Sequence, residues 1–418
     1  MRRAVGVAVV VAGALAGGPA RGEDAAGRFV ATASLQIARN GARAVTVEGE
    51  VLVVGGENDL EGPLRSAELW SDGKGKAPGH WTPAGRMQVP RVGHTVTALG
   101  DGRVLVVGGG GHDPQARLAE LWGEGDVDPQ TFKPAGRLSV SRHFHTATLL
   151  GDGRVLVIGG RDPHERPLAT AEIWDPKRRA WTAAGRLHLA RCCHTATLLA
   201  NGRVLVVGGR VMSNDPYDCE DVKGPCTTTT DAVELWDPRT RRFTDGPALA
   251  TGGDLPDFSD RAAHTATPLP DGRVLIMGGA GNIEPDPVFP RRPTAYLWDP
   301  AARRWTQIQG AARDYHTATL LADGRVLIVG GALNVCGCCK TAPHDGPVHY
   351  VNDALLWSPV TGKLVNAGNT ARSHMNHAAA LLPDGRVLIA GGTAPEWDEG
   401  AGEATAVAEL WLPVKGSP

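Results

Sequence analysis

Six histidines occupy one recurring register. His94, His145, His194, His264, His316 and His377 each stand fourteen residues before the first glycine of a Gly-Gly pair, and the matching position before the earliest pair is Gly41. Imidazole is a common ligand of copper and zinc, so a ring of histidines is candidate metal chemistry. Recurrence in nearly every unit is also what a structural hydrogen bond between units would produce, and that is the expectation here. The residue one step earlier varies: Asn40, Gly93, Phe144, Cys193, Ala263, Tyr315 and Asn376. Tyr315-His316 places a phenol beside an imidazole, a pair able to hold copper while leaving a substrate position open. It is the candidate catalytic pair. A wider metal set adds Cys193, His194, Cys338 and His377, with His374 nearby. The seven cysteines also include Cys192, Cys219, Cys226, Cys336 and Cys339. Cys219 and Cys226 are expected to bridge across their loop, and Cys336 or its neighbours to contribute another bridge, although spacing does not fix connectivity.

Composition limits what these residues can serve. The 43 basic and 45 acidic groups give a formal charge of −2, so nucleic acid is not an expected partner. Hydrophobic content of 42% with 11 Trp is too high for a disordered chain, while 55 Gly and 30 Pro argue against long helices. Met1-Arg2-Arg3 followed by the apolar run from Ala4 to Gly18 reads as a signal peptide over residues 1–22, which predicts a secreted or periplasmic protein. No later segment is apolar and long enough to cross a membrane.

The elements that position the histidines are repeats. Gly-Gly pairs end short apolar strands at 55, 108, 159, 208, 278, 330 and 391, and six are preceded by an Asp/Asn-Gly-Arg turn between apolar runs. Such a turn is a strong hairpin signal. After each pair come a variable loop and a strand ending in Trp70, Trp122, Trp174, Trp236, Trp298, Trp357 or Trp411. A fourth strand then begins at Trp81, Phe132, Trp181, Phe243, Trp305 or Leu364. The seventh unit lacks this strand, and Phe29 to Leu35 can supply it and close a ring. Residues 28–413 therefore read as one all-β domain, a seven-bladed β-propeller of four-stranded antiparallel blades.

Paired glycines, a downstream Trp, a second aromatic and a period near about fifty residues resemble kelch repeats, which implies that propeller. A narrower resemblance covers Arg313-Asp314-Tyr315-His316, Asp323-Gly324-Arg325, Gly330-Gly331, Cys336 and Cys339, and is to galactose oxidase and related copper-radical oxidases. It implies that Tyr315 and His316 ligate copper and that Cys336 and Cys339 form a disulfide. Those enzymes also need a second Tyr, a Cys from the preceding blade and a His from a C-terminal domain. Cys193 lies two blades before Tyr315, with Ala263 between them, and no further domain follows Trp411.

The Asp-Gly-Arg turns fall on one face, the bottom. The loops after Gly-Gly fall on the other, the top, with all seven cysteines. Length varies almost entirely at the top, at 210–230, 280–293 and 332–352. Glu68, Glu120, Glu172, Glu234 and Glu409, each two residues before a Trp, suggest a structural role within the blade. The leading expectation is an exported, monomeric binding module taking a protein or carbohydrate at the top loops, with no firm cofactor. The alternatives are a copper oxidase and another metal-dependent or sugar-modifying enzyme on the axis.

Overall fold

The computed structural model describes residues 26–72, 79–110, 113–123, 131–213, 226–249, 261–279, 294–311, 313–333, 349–394 and 403–414. The leader expected at 1–22, and Cys219, Cys336, Cys338 and Cys339, lie outside the described residues. Seven four-stranded sheets follow one another along the chain. Blade 1 runs from the axis outward as Arg43–Val47, Glu50–Val54, Ser66–Ser71 and His80–Arg86. Blades 2 to 6 repeat this order, with innermost strands beginning at Thr95, Thr146, Thr195, Thr265 and Thr317. The described residues contain one 3-10 turn, Pro114–Arg117, and no α-helix.

Blade 7 has Ala378–Leu381, Val387–Ala390 and Ala408–Pro413, and its outer strand is Gly27–Ala31. Gly27 pairs with Pro413, Phe29 with Trp411 and Ala31 with Glu409, so the N-terminal segment closes the ring. The strand stops earlier than the expected Leu35. From Thr32 the chain leaves the sheet and crosses toward blade 1, with Leu35 N–H on the Ala406 carbonyl at 2.9 Å.

The second strand of each blade is apolar without alternation because it is covered on both faces. Val104–Val107 and Val387–Ala390 are buried at every position. Alternate residues serve different neighbours: Leu52 and Val54 pack with Val104 and Val106 of blade 2, whereas Val51 and Val53 pack with Leu388 and Ala390 of blade 7. The apolar core is thus a series of layers between blades, and no blade holds one alone. The recurring Trp spans such a layer. Trp122, Trp174, Trp236 and Trp411 donate Nε1–H to the carbonyls of Ala84, Ala135, Ala184 and Ala367 in the preceding blade, at 2.8–3.0 Å.

The Gly-Gly pairs are joints between blades. In all seven, the N–H of the second glycine donates to a carbonyl of the next blade, from Arg91, Arg142, Arg191, Arg261, Arg313, His374 or Arg39, at 2.7–3.3 Å. The first glycine lies against the same carbonyl at Gly55, Gly108, Gly159, Gly208, Gly330 and Gly391. At Gly108, where φ is +64°, an added Cβ would stand 2.3 Å from the Arg142 oxygen. Gly108→Ala is therefore expected to cost at least about 2 kcal/mol through left-handed strain and overpacking, read from the urea midpoint. Gly151→Ala, where a Cβ would meet nothing within 4 Å, should stay within about 0.5 kcal/mol of wild type. Equal effects would remove the joint interpretation.

Candidate functional site: the axial mouth

Seven residues ring the axis where the chain enters each innermost strand. All have left-handed backbone: Gly41, Gly93, Phe144, Cys193, Ala263, Tyr315 and Asn376, with φ between 52° and 69°. This conformation is unusual for Phe, Cys, Ala or Tyr and persists only where surroundings impose it. Hydrogen bonds from blade to blade do so. Phe144 N–H donates to the Gly93 carbonyl, Cys193 to Phe144, Asn376 to Tyr315 and Gly41 to Asn376, at 2.8–3.1 Å.

The first blade corrects the register read from sequence. Its inner hairpin closes with the two-residue turn Glu48-Gly49, at φ 50° and 91°, pairing Val47 with Glu50. In blade 2 the inner strands are joined by five residues, 99–103, between Ala98 and Val104. Counting back from Gly-Gly therefore overshoots by one in blade 1. Gly41, not Asn40, takes the axial position, and Ala42 stands where the other blades have His.

The histidines point between blades. Nε2 of His145, His194, His264, His316 and His377 lies 2.8–3.1 Å from the hydroxyl of Thr95, Thr146, Thr195, Thr265 and Thr317 respectively, each in the preceding blade. Nε2 of His94 meets the Val54 carbonyl at 3.1 Å, because blade 1 has Arg43 in place of the threonine. At the junction of blades 7 and 1 the His and Thr positions are Ala42 and Ala378. There Asn376 Nδ2 donates to Asn40 Oδ1 at 2.9 Å and Thr46 Oγ1 to the Leu381 carbonyl at 2.8 Å. Burial holds all six imidazoles neutral. His194 and His377 are pushed down to about 3, with Arg191 and His374 adding to burial, and the other four lie well below the usual value.

Beneath this belt lies a set of charges that the sequence reading missed. Three residues before each histidine stand Arg91, Arg142, Arg191, Arg261, Arg313 and, in blade 7, His374; Arg39 takes the place in blade 1. Arg39, Arg91, Arg142 and Arg191 meet Glu68, Glu120, Glu172 and Glu234 at 2.7–2.8 Å, with each guanidinium fully buried. Blade 5 has Tyr296 at the glutamate position, its ring 4.7 Å from the Arg261 guanidinium carbon. Blade 6 uses Asp353 for Arg313, and blade 7 pairs His374 with Glu409 at 3.3 Å. Four of the five recurring glutamates are thus counterions within the blades, and Glu409 is the side-chain partner of His374. The signal was present as a period of arginines matching that of the glutamates.

Most candidate residues are scattered around the ring rather than gathered. Tyr315, Cys193 and Asn376 are one residue each from different blades, and their neighbouring histidines turn into the junctions. Cys226 is buried and disulfide-bonded, and the Cys219 expected as its partner is outside the described residues. One chemically dense group occurs at the junction of blades 3 and 4. Glu165 accepts from His143 Nε2 at 3.1 Å and Arg161 Nη1 at 3.0 Å, and the His143 bond, with Arg161, holds its carboxyl down to about 2. Arg161 Nε reaches Cys192 Sγ at 3.1 Å, and Cys193 Sγ lies 3.4 Å from Cys192 Sγ. On the outer top rim, His188 Nδ1 lies 2.7 Å from Asp245, beside Glu234.

The two faces differ. At the bottom, Asp101, Asp152, Asp271, Asp323 and Asp384 each pair with the arginine two residues on, at 2.6–2.8 Å. At the top, loops after Gly-Gly form small ribbons: Glu57–Asn58 with Gly62–Pro63, Arg210–Met212 with Thr227–Thr229, Ala332–Leu333 with His349–Tyr350, and Thr393–Ala394 with Glu403–Ala404. The ribbons of blades 7 and 1 touch through Ala404 N–H and Asp59 Oδ2, at 3.1 Å. Phe144 is 39% exposed at the mouth.

Residues 41–279 match the profile of the KLHDC2/KLHL20/DRC7 Kelch-repeats domain. The chain belongs to the kelch-repeat family. No curated protein matches the sequence of this kelch propeller. Among solved structures it is similar to a fungal alcohol oxidase of the AA5 family in complex with copper, at 16% identity and TM-score 0.66. The alignment covers 93% of this chain and 76% of that one, and at this identity it shows a shared fold. The Tyr315–His316 pair does not fit a copper ion in the observed arrangement. His316 is fully buried, its Nε2 is 3.1 Å from Thr265 Oγ1, and the ring also bonds the Arg313 backbone.

Proposed function

We propose that this kelch propeller is an exported binding module, taking a protein or carbohydrate ligand at the loops of its top face. The observation that carries the reading is the asymmetry of the faces. The bottom turns are nearly identical and neutralise their own charges. The top ring presents seven residues of six types, including the exposed Phe144, inside a rim of ribbons of unequal length. A rigid ring with variable loops on one face is a common recognition surface. The imidazoles support binding over metal catalysis because they serve the junctions between blades.

The test screens the immobilised protein against peptide and oligosaccharide libraries. Phe144→Ser should weaken capture at least about tenfold with an unchanged melting temperature, and replacement of 211–228 by the short loop of blade 3 should do the same with the propeller still folded. Arg325→Ser on the bottom face should leave capture intact. Loss with the bottom variant alone would assign the wrong face. Stoichiometric copper binding that is lost in His316→Asn, with peroxide formed from an alcohol, would replace binding with the oxidase reading.

A further inference from the structure

We propose that Cys192 and Cys193 form a bidentate dithiol site for a soft, thiophilic ion of the trivalent arsenic class. Both residues are thiols, and their sulfurs lie 3.4 Å apart. Sequence-adjacent cysteines do not automatically share one space, since neighbouring side chains in an extended strand point to opposite faces. Here the left-handed backbone of Cys193, at φ 57°, brings the two sulfurs together where the chain turns into blade 4. The Arg161 side chain fixes the chemistry of the inner sulfur. Its Nε donates to Cys192 Sγ at 3.1 Å, while Nη1 is held by Glu165 at 3.0 Å, so the guanidinium is oriented before any ligand arrives. An N–H donor carrying positive charge favours thiolate over thiol. The second donor on that sulfur is Cys193 itself.

Softness selects the ligand class, because paired thiolates prefer polarisable, thiophilic ions to hard cations. The bite narrows it further. With metal–sulfur bonds of about 2.3 Å, sulfurs at this separation subtend about 95°. That angle is narrower than a tetrahedral site prefers and far from linear, but it suits a pyramidal trivalent metalloid. Cys192 is fully buried and Cys193 is half-buried in the axial ring, so a ligand meets Cys193 first and Cys192 second. The step balances without oxidation. An arsenoxide and two thiols give one arsenic bonded to both sulfurs, and the oxide oxygen leaves as water with the two thiol protons. The site does not depend on the proposed binding function.

The experiment uses the full exported chain with phenylarsine oxide as probe, under argon, followed by peptide mapping. Mapping separates the adjacent pair from the other five cysteines. The expected result is one arsenic bridging both residues of the 192–193 peptide, displaced by a dithiol but not by excess monothiol. Cys192→Ser and Cys193→Ser should each abolish the bridged peptide, and Arg161→Gln should slow its formation about tenfold. The displacement pattern is read on the unaltered chain, so the proposal stays testable if a serine variant fails to fold. A 192–193 peptide that carries no arsenic overturns it. So does an adduct readily displaced by monothiol, or a preformed disulfide between the two residues.

Discussion

Lowering the pH from 7 to 5 is expected to unfold this protein, with six histidines driving the transition. Each of His94, His145, His194, His264, His316 and His377 is neutral in the folded ring, two of them with values pushed down to about 3. In the unfolded chain each returns to an ordinary value near about 6.5. Between those limits the unfolded state holds more protons, so stability rises with pH and is lost as pH falls below about 6.5. At pH 5 His194 and His377 account for about 2 kcal/mol each, and the other four buried imidazoles act in the same direction. His188 acts in the opposite sense, because Asp245 raises its value, but it is too exposed to offset six buried rings. The carboxylates contribute mainly below this window, near their own ordinary values. Urea midpoints measured from pH 8 to 5 should be flat and then fall steeply. Unfolding at pH 5.5 should take up several protons, read by calorimetry in buffers of different ionisation enthalpy. His194→Gln should reduce that uptake by about one. A midpoint that is level from pH 7 to 5 would refute the neutral, buried assignment.

The second large effect concerns a single buried charge. Glu120→Ala should destabilise the protein by about 3 kcal/mol, because it leaves Arg91 buried without its hydrogen-bonded counterion and with only the charge of Asp113 acting on it. Arg91 is fully buried and also donates to the Gly108 and Leu118 carbonyls, so it cannot swing out to water without breaking the joint between blades. The substitution also strips the Gln88 N–H of its acceptor, now 2.8 Å away. Blade 5 indicates a partial remedy. Tyr296 stands in the position of Glu120 and sets its ring beside Arg261. Glu120→Tyr should therefore cost less than Glu120→Ala by about 1–2 kcal/mol. Arg91→Met combined with Glu120→Leu should recover about 2 kcal/mol of the alanine loss. Chemical denaturation of the four proteins decides the matter. An alanine variant within about 1 kcal/mol of wild type would mean that water reaches the guanidinium.

The repeat was legible because its markers are local. Gly-Gly, Asp-Gly-Arg and the strand-ending Trp each lie within a single hairpin, where turn geometry and burial dictate residue type. Ring closure was legible too, since Phe29 stands to Arg39 as Trp81 stands to Arg91. The partners of the histidines were not legible, because Thr95 and His145 belong to neighbouring blades and only their packing brings them to 3.0 Å. For the same reason Tyr315-His316 looked like a ligand pair in one dimension, while in space the imidazole turns into a junction. The shift in blade 1 was hidden by a turn that differs in length from all the others. The proximity of Arg161 to Cys192 escaped notice because the arginine belongs to a top loop of blade 3 and the cysteine to the chain entering blade 4.

The junction where Ala42 faces Ala378 also sets an order of events. Blades 1 to 6 are each built from strands close in sequence, so their hairpins form at low entropic cost. Blade 7 instead requires Gly27–Ala31 to find Ala408–Pro413 across nearly the whole chain. That long closure falls at a junction that lacks the His–Thr bond and is spanned instead by the Asn376–Asn40 and Thr46–Leu381 contacts, the Gly41 and Gly392 backbone bonds and the Arg386–Asp72 ion pair. Until it is made, Trp411 and its strand present an unprotected edge. Docking of the N-terminal strand is therefore expected to be the late step of folding, and the interval before it the one in which the chain is most exposed to strand-mediated aggregation.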